Sequence, residues 1–295
     1  MSDAPGQPAF RAVPLAPGLY LVATPIGTAR DITLRALDIL ASADVLAAED
    51  TRTARRLMDL HGIPLAGRPL LAYHDHNGPA QRPRLLAALR AGQSLAYVSE
   101  AGTPLVADPG YQLARAAIAE QIPLHAAPGP SAVLAALAVA GLPTDRFLFA
   151  GFPPPAAGAR RRWMEEVGAV PATLVLFESG KRVNRLLGEL CEALGEERGA
   201  ALCRELTKRF EEVRRGSLAT LREGVAADPP KGELVLVIER PAPAVADEEA
   251  VEAALADALA ERPVREAAAE VAARFGLKRR DVYQRALRIR EEGEG

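Results

Sequence analysis

Short uninterrupted apolar runs recur along the first half of the chain, at 19–24, 44–48, 95–99 and 122–126, separated by stretches of helical length. A run of four to six apolar residues suits a strand buried on both faces, as in a parallel sheet, whereas i, i+3, i+4 spacing suits a helix laid on that sheet. The alternation predicts a mostly parallel α/β lobe over 18–140. Asp31, ahead of Ile32, Leu34, Leu37 and Leu40, and Thr51, ahead of Arg52, Arg55 and Arg56, read as helix start signals.

Between 141 and 159 the pattern breaks at Pro143, Pro153, Pro154, Pro155 and Gly158, which places a lobe boundary there. A second set of strands follows at 173–177, 200–204, 211–215 and 234–238, with helices at 183–194 and 218–226. Fewer and shorter helices predict a mixed sheet in a second α/β lobe over 141–240. A Pro- and Ala-rich linker at 241–245 leads to a helix-only extension over 247–291. There a helix over 264–275, a turn at Gly276 and a second helix from Lys278 predict a helix-turn-helix-like module. Its second helix carries Lys278, Arg279, Arg280, Arg285, Arg288 and Arg290 against Asp281, with Val282, Leu287 and Ile289 for packing.

With 295 residues, 49% of them hydrophobic and 25% charged, the chain is long enough for two lobes and an extension. Residues 1–17, rich in Pro and Ala, read as a disordered tail rather than an export signal. No run of about 18 uncharged apolar residues is present, so no membrane span is expected. The two cysteines, Cys191 and Cys203, are too far apart for a CxxC pair, which points to a reducing cytoplasm. A net charge of −2 hides clusters such as Arg160, Arg161 and Arg162, so a nucleic-acid surface needs no basic overall balance.

Three loops carry candidate chemistry. Val22-Ala23-Thr24-Pro25-Ile26-Gly27 ends an apolar run in a tight turn. Val98-Ser99-Glu100-Ala101-Gly102-Thr103-Pro104, with Ala107-Asp108-Pro109-Gly110 after it, exposes backbone groups on small residues. Pro128-Gly129-Pro130-Ser131 precedes a helix. In open α/β sheets such turns line ligand pockets beyond the carboxyl ends of strands. Neither G-x-G-x-x-G nor G-x-x-x-x-G-K-[ST] occurs, which argues against a dinucleotide fold or a P-loop.

Together with YHDHN, GLPTDRFLFAGFPP, FESGKRV, RELTKRFEE and PPKGELVLVIE, these blocks resemble the tetrapyrrole (corrin and porphyrin) methylase family, and within it the branch that acts on ribosomal RNA. The resemblance implies two α/β lobes with S-adenosylmethionine in the cleft between them, a homodimer, and methylation of the ribose 2′-hydroxyl of cytidine 1402 in 16S rRNA of the small subunit. Carried over position by position, the cofactor pocket comprises Pro25, Ile26, Gly27, Ser99, Glu100, Ala101, Gly102, Thr103, Pro130, Ser131, Phe177, Glu178 and Lys231. The chain departs from the branch at Thr28, where Asn is usual, at Glu100, where Asp is usual, and at Gly180-Lys181, where Pro-His is common.

A ribose hydroxyl is a poor nucleophile, so a proton acceptor is expected beside it. Glu49, Asp50, His74, Asp75, Glu100, Glu178 and Glu205 are available, and Glu100, Glu49 and Asp50 are the catalytic candidates. His74 and His76 lack a matching distant cluster, so no metal is expected. Phosphate contacts are expected from Arg52, Arg55 and Arg56, from Arg160, Arg161 and Arg162 in a loop beside the cleft, more weakly from Lys208 and Arg209, and from Lys278, Arg279, Arg280 and Arg285. Two alternatives stand beside this reading: methylation of a tetrapyrrole carbon, and a nucleic-acid-binding protein without catalysis.

Overall fold

The computed structural model describes residues 10–106, 110–241 and 248–293. The first five-stranded sheet is parallel throughout. It contains β1 (Gly18–Val22), β2 (Val45–Ala48), β3 (Leu70–Ala72), β4 (Ser94–Val98) and β5 (Leu124–Ala127) in the order β3-β2-β4-β1-β5. Strand alternation divides its faces. Tyr20, Val22, Leu46, Ala48, Ala96 and Val98 meet α1 (Leu34–Ser42) and α2 (Thr51–Leu60), while Leu19, Val45, Ala47, Leu95 and Tyr97 meet α3 (Gly78–Arg90) and α4 (Tyr111–Ala119). Helix α2 begins at Thr51 as expected, with Asp50 as its cap, whereas α1 starts later than expected, capped by Thr33, and Asp31 lies in a single 3-10 turn.

A second five-stranded sheet contains β6 (Phe147–Gly151), β7 (Thr173–Ser179), β8 (Gly199–Arg204), β9 (Glu212–Ser217) and β10 (Glu233–Ile238), ordered β6-β7-β10-β8-β9. Only β6 and β7 run parallel, so the sheet is mixed. Leu174, Leu176, Leu202, Leu234 and Leu236 face α6 (Ala157–Gly168), α7 (Val183–Leu194) and α8 (Leu218–Ala227). On the opposite face Val175, Ala201, Cys203, Val235 and Val237 pack on α5 (Ala132–Ala140). The boundary expected near 141 therefore falls, in packing terms, before α5: its apolar face covers the second sheet and not the first. Ser131 accepts from Leu134 N–H at its start, and Gly141, at φ +74°, ends it in a left-handed turn.

Part of the tail expected over 1–17 is ordered, because Phe10 and Leu15 have apolar surface to bury against the α1 side of the first lobe. The Arg11 and Val13 amides donate to Asp38 and Ser42 of α1; residues 1–9 lie outside the described residues. Both cysteines are free and buried, and burial pushes the Cys203 thiol up to about 11. Among the described residues, no helix is long and apolar enough to cross a membrane.

The described residues 248–293 group separately. They hold α9 (Glu248–Glu261), α10 (Val264–Phe275) and α11 (Arg279–Gly293) around Val251, Leu255, Ala268, Val271, Val282 and Ala286. Gly276 turns α10 into α11 at φ +66°, with its N–H on the Ala272 carbonyl. Leu287 and Ile289, expected to pack, lie against this core. Of the linker expected over 241–245, residues 242–245 lie outside the described residues.

Candidate active site

The three loops meet where the carboxyl ends of β4, β1 and β5 lie side by side. Thr24 and Gly102 form a two-way backbone bridge, N–H to carbonyl at 3.0 and 3.1 Å. Gly102 makes the turn at φ +83°, a region that L side chains avoid, and a Cβ there would stand 3.3 Å from Ile26 Cγ2. Ser99 Oγ donates to the Gly102 carbonyl at 3.0 Å, and Thr103 Oγ1 to the Pro130 carbonyl at 2.9 Å, which ties the second loop to the third. Gly129 fits close against β1, since a Cβ would come within 2.9 Å of Ala23 Cβ. Gly110 is buried at the start of α4; the Ala107, Asp108 and Pro109 stretch of the motif lies outside the described residues.

The second lobe closes on the first of these loops. Ile26 joins the apolar cluster that holds α5, Leu206, Phe149 and Phe177, and the Phe177 ring meets Phe149 and Phe152 edge-on at 4.8 and 5.5 Å. Gly27 is pressed against the turn after β8, where a Cβ would lie 2.6 Å from both Thr207 Oγ1 and Lys208 Cγ. Thr28 is latched to the same turn: its N–H donates to Thr207 Oγ1 at 3.2 Å, and its Oγ1 donates to the Thr207 carbonyl at 2.5 Å. Glu205 and Thr207 both adopt positive φ, at +46° and +61°, a strained pair that its surroundings must hold. Lys208 Nζ does so by donating to Glu205 at 3.1 Å and Glu233 at 2.5 Å. Burial opposes the Lys208 charge, yet the two carboxylates hold its pKa above the ordinary value. Nothing in the residue pattern marked Thr207 as a partner of Thr28, because that contact spans 179 positions.

Among the described residues, the buried Thr24 hydroxyl has no hydrogen-bond partner, an arrangement that costs stability unless a ligand completes it. Backbone groups on small residues, one orphaned hydroxyl and the apolar sides of Ile26 and Phe177 suit a nucleoside-bearing ligand. Sequence reasoning quoted Thr24 but gave it no role.

The carboxylates separate by environment. Glu49, just past β2, accepts the Glu100 N–H at 3.1 Å and so fixes the start of the second loop, while the Glu100 side chain is exposed. Asp50 is engaged structurally, which weighs against it as the proton acceptor. It accepts from Arg52 through side chain and backbone and from Thr53 N–H as the cap of α2, which lowers its pKa to about 2. Glu178 is corrected. Alternation along β7 puts it on the face opposite Phe177, buried, with Ser179 and the Arg182 guanidinium at 2.7 Å occupying its carboxylate. Lys231 is exposed, and its carbonyl accepts from Arg204 Nε. His74 belongs to a turn that Asn77 closes by accepting the His74 N–H and donating to the Ala72 carbonyl. Among the described residues, no group of three His, Cys, Asp or Glu could hold a metal ion.

Of the expected phosphate contacts, Arg160 is overturned. It lies on a helix and not in a loop, is buried, pairs with Glu189 of α7 at 2.5 Å, and donates to the Pro154 and Pro155 carbonyls. It staples the Pro-rich turn to α7. Arg161 and Arg162 are exposed on the same helix, which covers the face of the second sheet opposite α5 and the loops; Arg161 pairs with Glu165. Arg52 and Arg55 pair with Asp50 and Asp59, and with Arg56 they line an open groove of about 820 Å³ on α2. Lys278, Arg279 and Arg280 are exposed, and Arg285 pairs with Glu248.

The family model described as "Tetrapyrrole (Corrin/Porphyrin) Methylases" matches residues 18–222, and one described as "RsmI C-terminal HTH domain" matches 245–290. The chain is 52% identical to the Ribosomal RNA small subunit methyltransferase I of Mesorhizobium japonicum over 98% of both chains. It is 42% identical to the protein of that name from Pseudomonas aeruginosa, over 91% of this chain and 96% of that one. Among solved structures, a uroporphyrin-III C-methyltransferase from Thermus thermophilus complexed with S-adenyl homocysteine shares the fold. Its TM-score is 0.52 at 21% identity, covering 75% of this chain and 96% of that chain.

Proposed function

Because the chain belongs to the tetrapyrrole (corrin/porphyrin) methylase family, in its ribosomal RNA small subunit methyltransferase I branch, we propose that it methylates the ribose 2′-hydroxyl of cytidine 1402 in 16S rRNA. It is an S-adenosylmethionine-dependent methyltransferase of ribosomal RNA. The observation that carries the site assignment is the meeting of the three loops around the Thr24–Gly102 bridge, with the orphaned Thr24 hydroxyl among them. We place the small ribosomal subunit as substrate, the cytoplasm as compartment and a homodimer as the working assembly.

Bound S-adenosylmethionine supplies a methyl carbon made electrophilic by its sulfonium. The chain's part is alignment and the exclusion of water. Backbone groups of 99–103 and the Thr24 hydroxyl would hold polar parts of the cofactor, and Ile26 and Phe177 would cover its apolar faces. The Thr28–Thr207 latch keeps the second lobe closed over the first loop. Glu100, its backbone fixed by Glu49, would take the ribose hydroxyl proton, and the bound cofactor would supply the methyl group and leave as the neutral thioether. The exposed arginines of α2 and the basic residues of α11 hold phosphates.

The test uses full-length protein, S-adenosylmethionine and small subunits lacking the modification, with mass spectrometry of nuclease fragments of the 16S rRNA. One added methyl on the ribose of cytidine 1402 is expected. A methyl on a base, on another nucleotide, or none at all overturns the reading.

A further inference from the structure

Between α10 and α11 lies an open depression of about 400 Å³ walled by Arg265, Arg279, Arg280 and Tyr283. Among the described residues none of these arginines forms an ion pair, and the Arg279 guanidinium reaches only the Arg265 carbonyl, at 3.5 Å. Three other basic residues of the module are engaged, Arg262 with Glu270, Arg285 with Glu248, and Arg274 over the Phe275 ring, while Lys278 and Arg288 are exposed outside the depression. The Tyr283 ring is partly exposed and, among the described residues, stacks on no other ring, while Val282 and Ala286 complete the core without it. Arg279 and Arg280 precede Tyr283 by four and three residues and therefore share its face of α11. Three guanidiniums without an ion pair beside a partly exposed aromatic ring repel one another until an anion with a flat apolar part joins them.

We propose that this depression holds one nucleotide of unpaired RNA, its base stacked on Tyr283 and its flanking phosphates on Arg265, Arg279 and Arg280. The proposal rests on the ribosomal RNA reading and sharpens it, since the module then recognises a single strand and not a duplex. A duplex offers phosphates to the arginines but keeps its base faces in its own stack, so Tyr283 would gain nothing from it; an unstacked base offers both. The volume, at the small end of ligand sites, suits a single nucleotide.

Fluorescence anisotropy of the full-length protein with a labelled oligocytidylate of about ten nucleotides, and with a duplex of equal length, tests this at fixed moderate salt. Tyr283→Ala is expected to weaken single-strand binding about five- to tenfold, Tyr283→Phe to preserve it, and neither to alter duplex binding. Replacing Arg279 and Arg280 by Ala should weaken both and flatten the salt dependence. Unchanged single-strand affinity in Tyr283→Ala, parallel losses on both probes, or a wild type that binds neither would overturn the proposal. Circular dichroism and cofactor calorimetry certify each variant's fold. The methylation reading is scored separately: a wild type that grips single strands through Tyr283 yet methylates no subunit keeps the nucleotide site and loses the substrate assignment.

Discussion

At Gly102 one hydrogen atom stands where any other residue would place carbon. The backbone is left-handed, and a Cβ would press on Ile26, the residue that joins the first loop to the second lobe. Gly102→Val adds a β-branched side chain to a conformation it resists by about 1–3 kcal/mol. The strain falls on the bridge to Thr24, so calorimetry should show S-adenosylmethionine affinity down at least tenfold in a variant that still folds. Asp50 illustrates the converse, a residue whose chemistry is spent on structure. Its pKa lies below that of the unfolded chain, so its contribution is complete above about pH 4 and is lost as pH falls through about 2. Asp50→Asn, still a competent cap, should leave the neutral pH–rate profile unchanged and shrink the drop in Tm between pH 4 and 2; a lost methylation rate at pH 7 would restore Asp50 as the base. Gly180 gives a reason for one departure from the branch. A Cβ there would lie 2.1 Å from the Pro230 carbonyl oxygen, and its N–H donates to Gly232, so neither a side chain nor a proline fits.

At the scale of elements, legibility followed pattern length. Long periodic segments such as α7 and α10 fall where the apolar spacing puts them, because burying one face dominates everything local. The elements that escaped were short or interrupted. β3 is a three-residue edge strand, and β6 and α6 lie within or beside the Pro and Gly stretch read as a boundary. Missing α6 is what misplaced Arg160: three consecutive arginines in a loop look like a phosphate clamp, but on a helix successive residues point about 100° apart, and one of the three must face inward. Arg160→Ala should therefore lower stability by about 2–4 kcal/mol, read as Tm, by stranding the Glu189 carboxylate and freeing the Pro154–Pro155 turn. The salt slope of RNA binding should not change. Glu178 escapes for a similar reason, since a motif block does not say which face of a strand each residue takes.

For the whole molecule, the two lobes share one packed unit, whereas α9, α10 and α11 bury a core of their own. A chain ending at Arg240 should keep its fold and bind S-adenosylmethionine with unchanged affinity. It should bind the small subunit about tenfold more weakly at moderate salt, if several phosphate contacts go with the module. Equal binding across a salt series would strip the module of its RNA role. The meeting of the three loops could be foreseen, because each follows an apolar run and parallel sheets gather such ends on one edge. The closure by Thr207 and Lys208 could not, since no local pattern encodes a contact between the first loop and a turn after β8.

The order of the second sheet also has a history in time. β10, the last strand to be synthesised, lies at its centre between β7 and β8. While the chain emerges from the ribosome that makes it, the first sheet can close once Ala127 is out, but β7 and β8 wait with open edges until Ile238 appears. Nascent chains arrested before β10 should therefore hold a protease-resistant first lobe and a second lobe that is still cleaved. The grip on the cofactor, which needs Phe177 and the Thr207 turn in place, would arrive in one late step and not gradually.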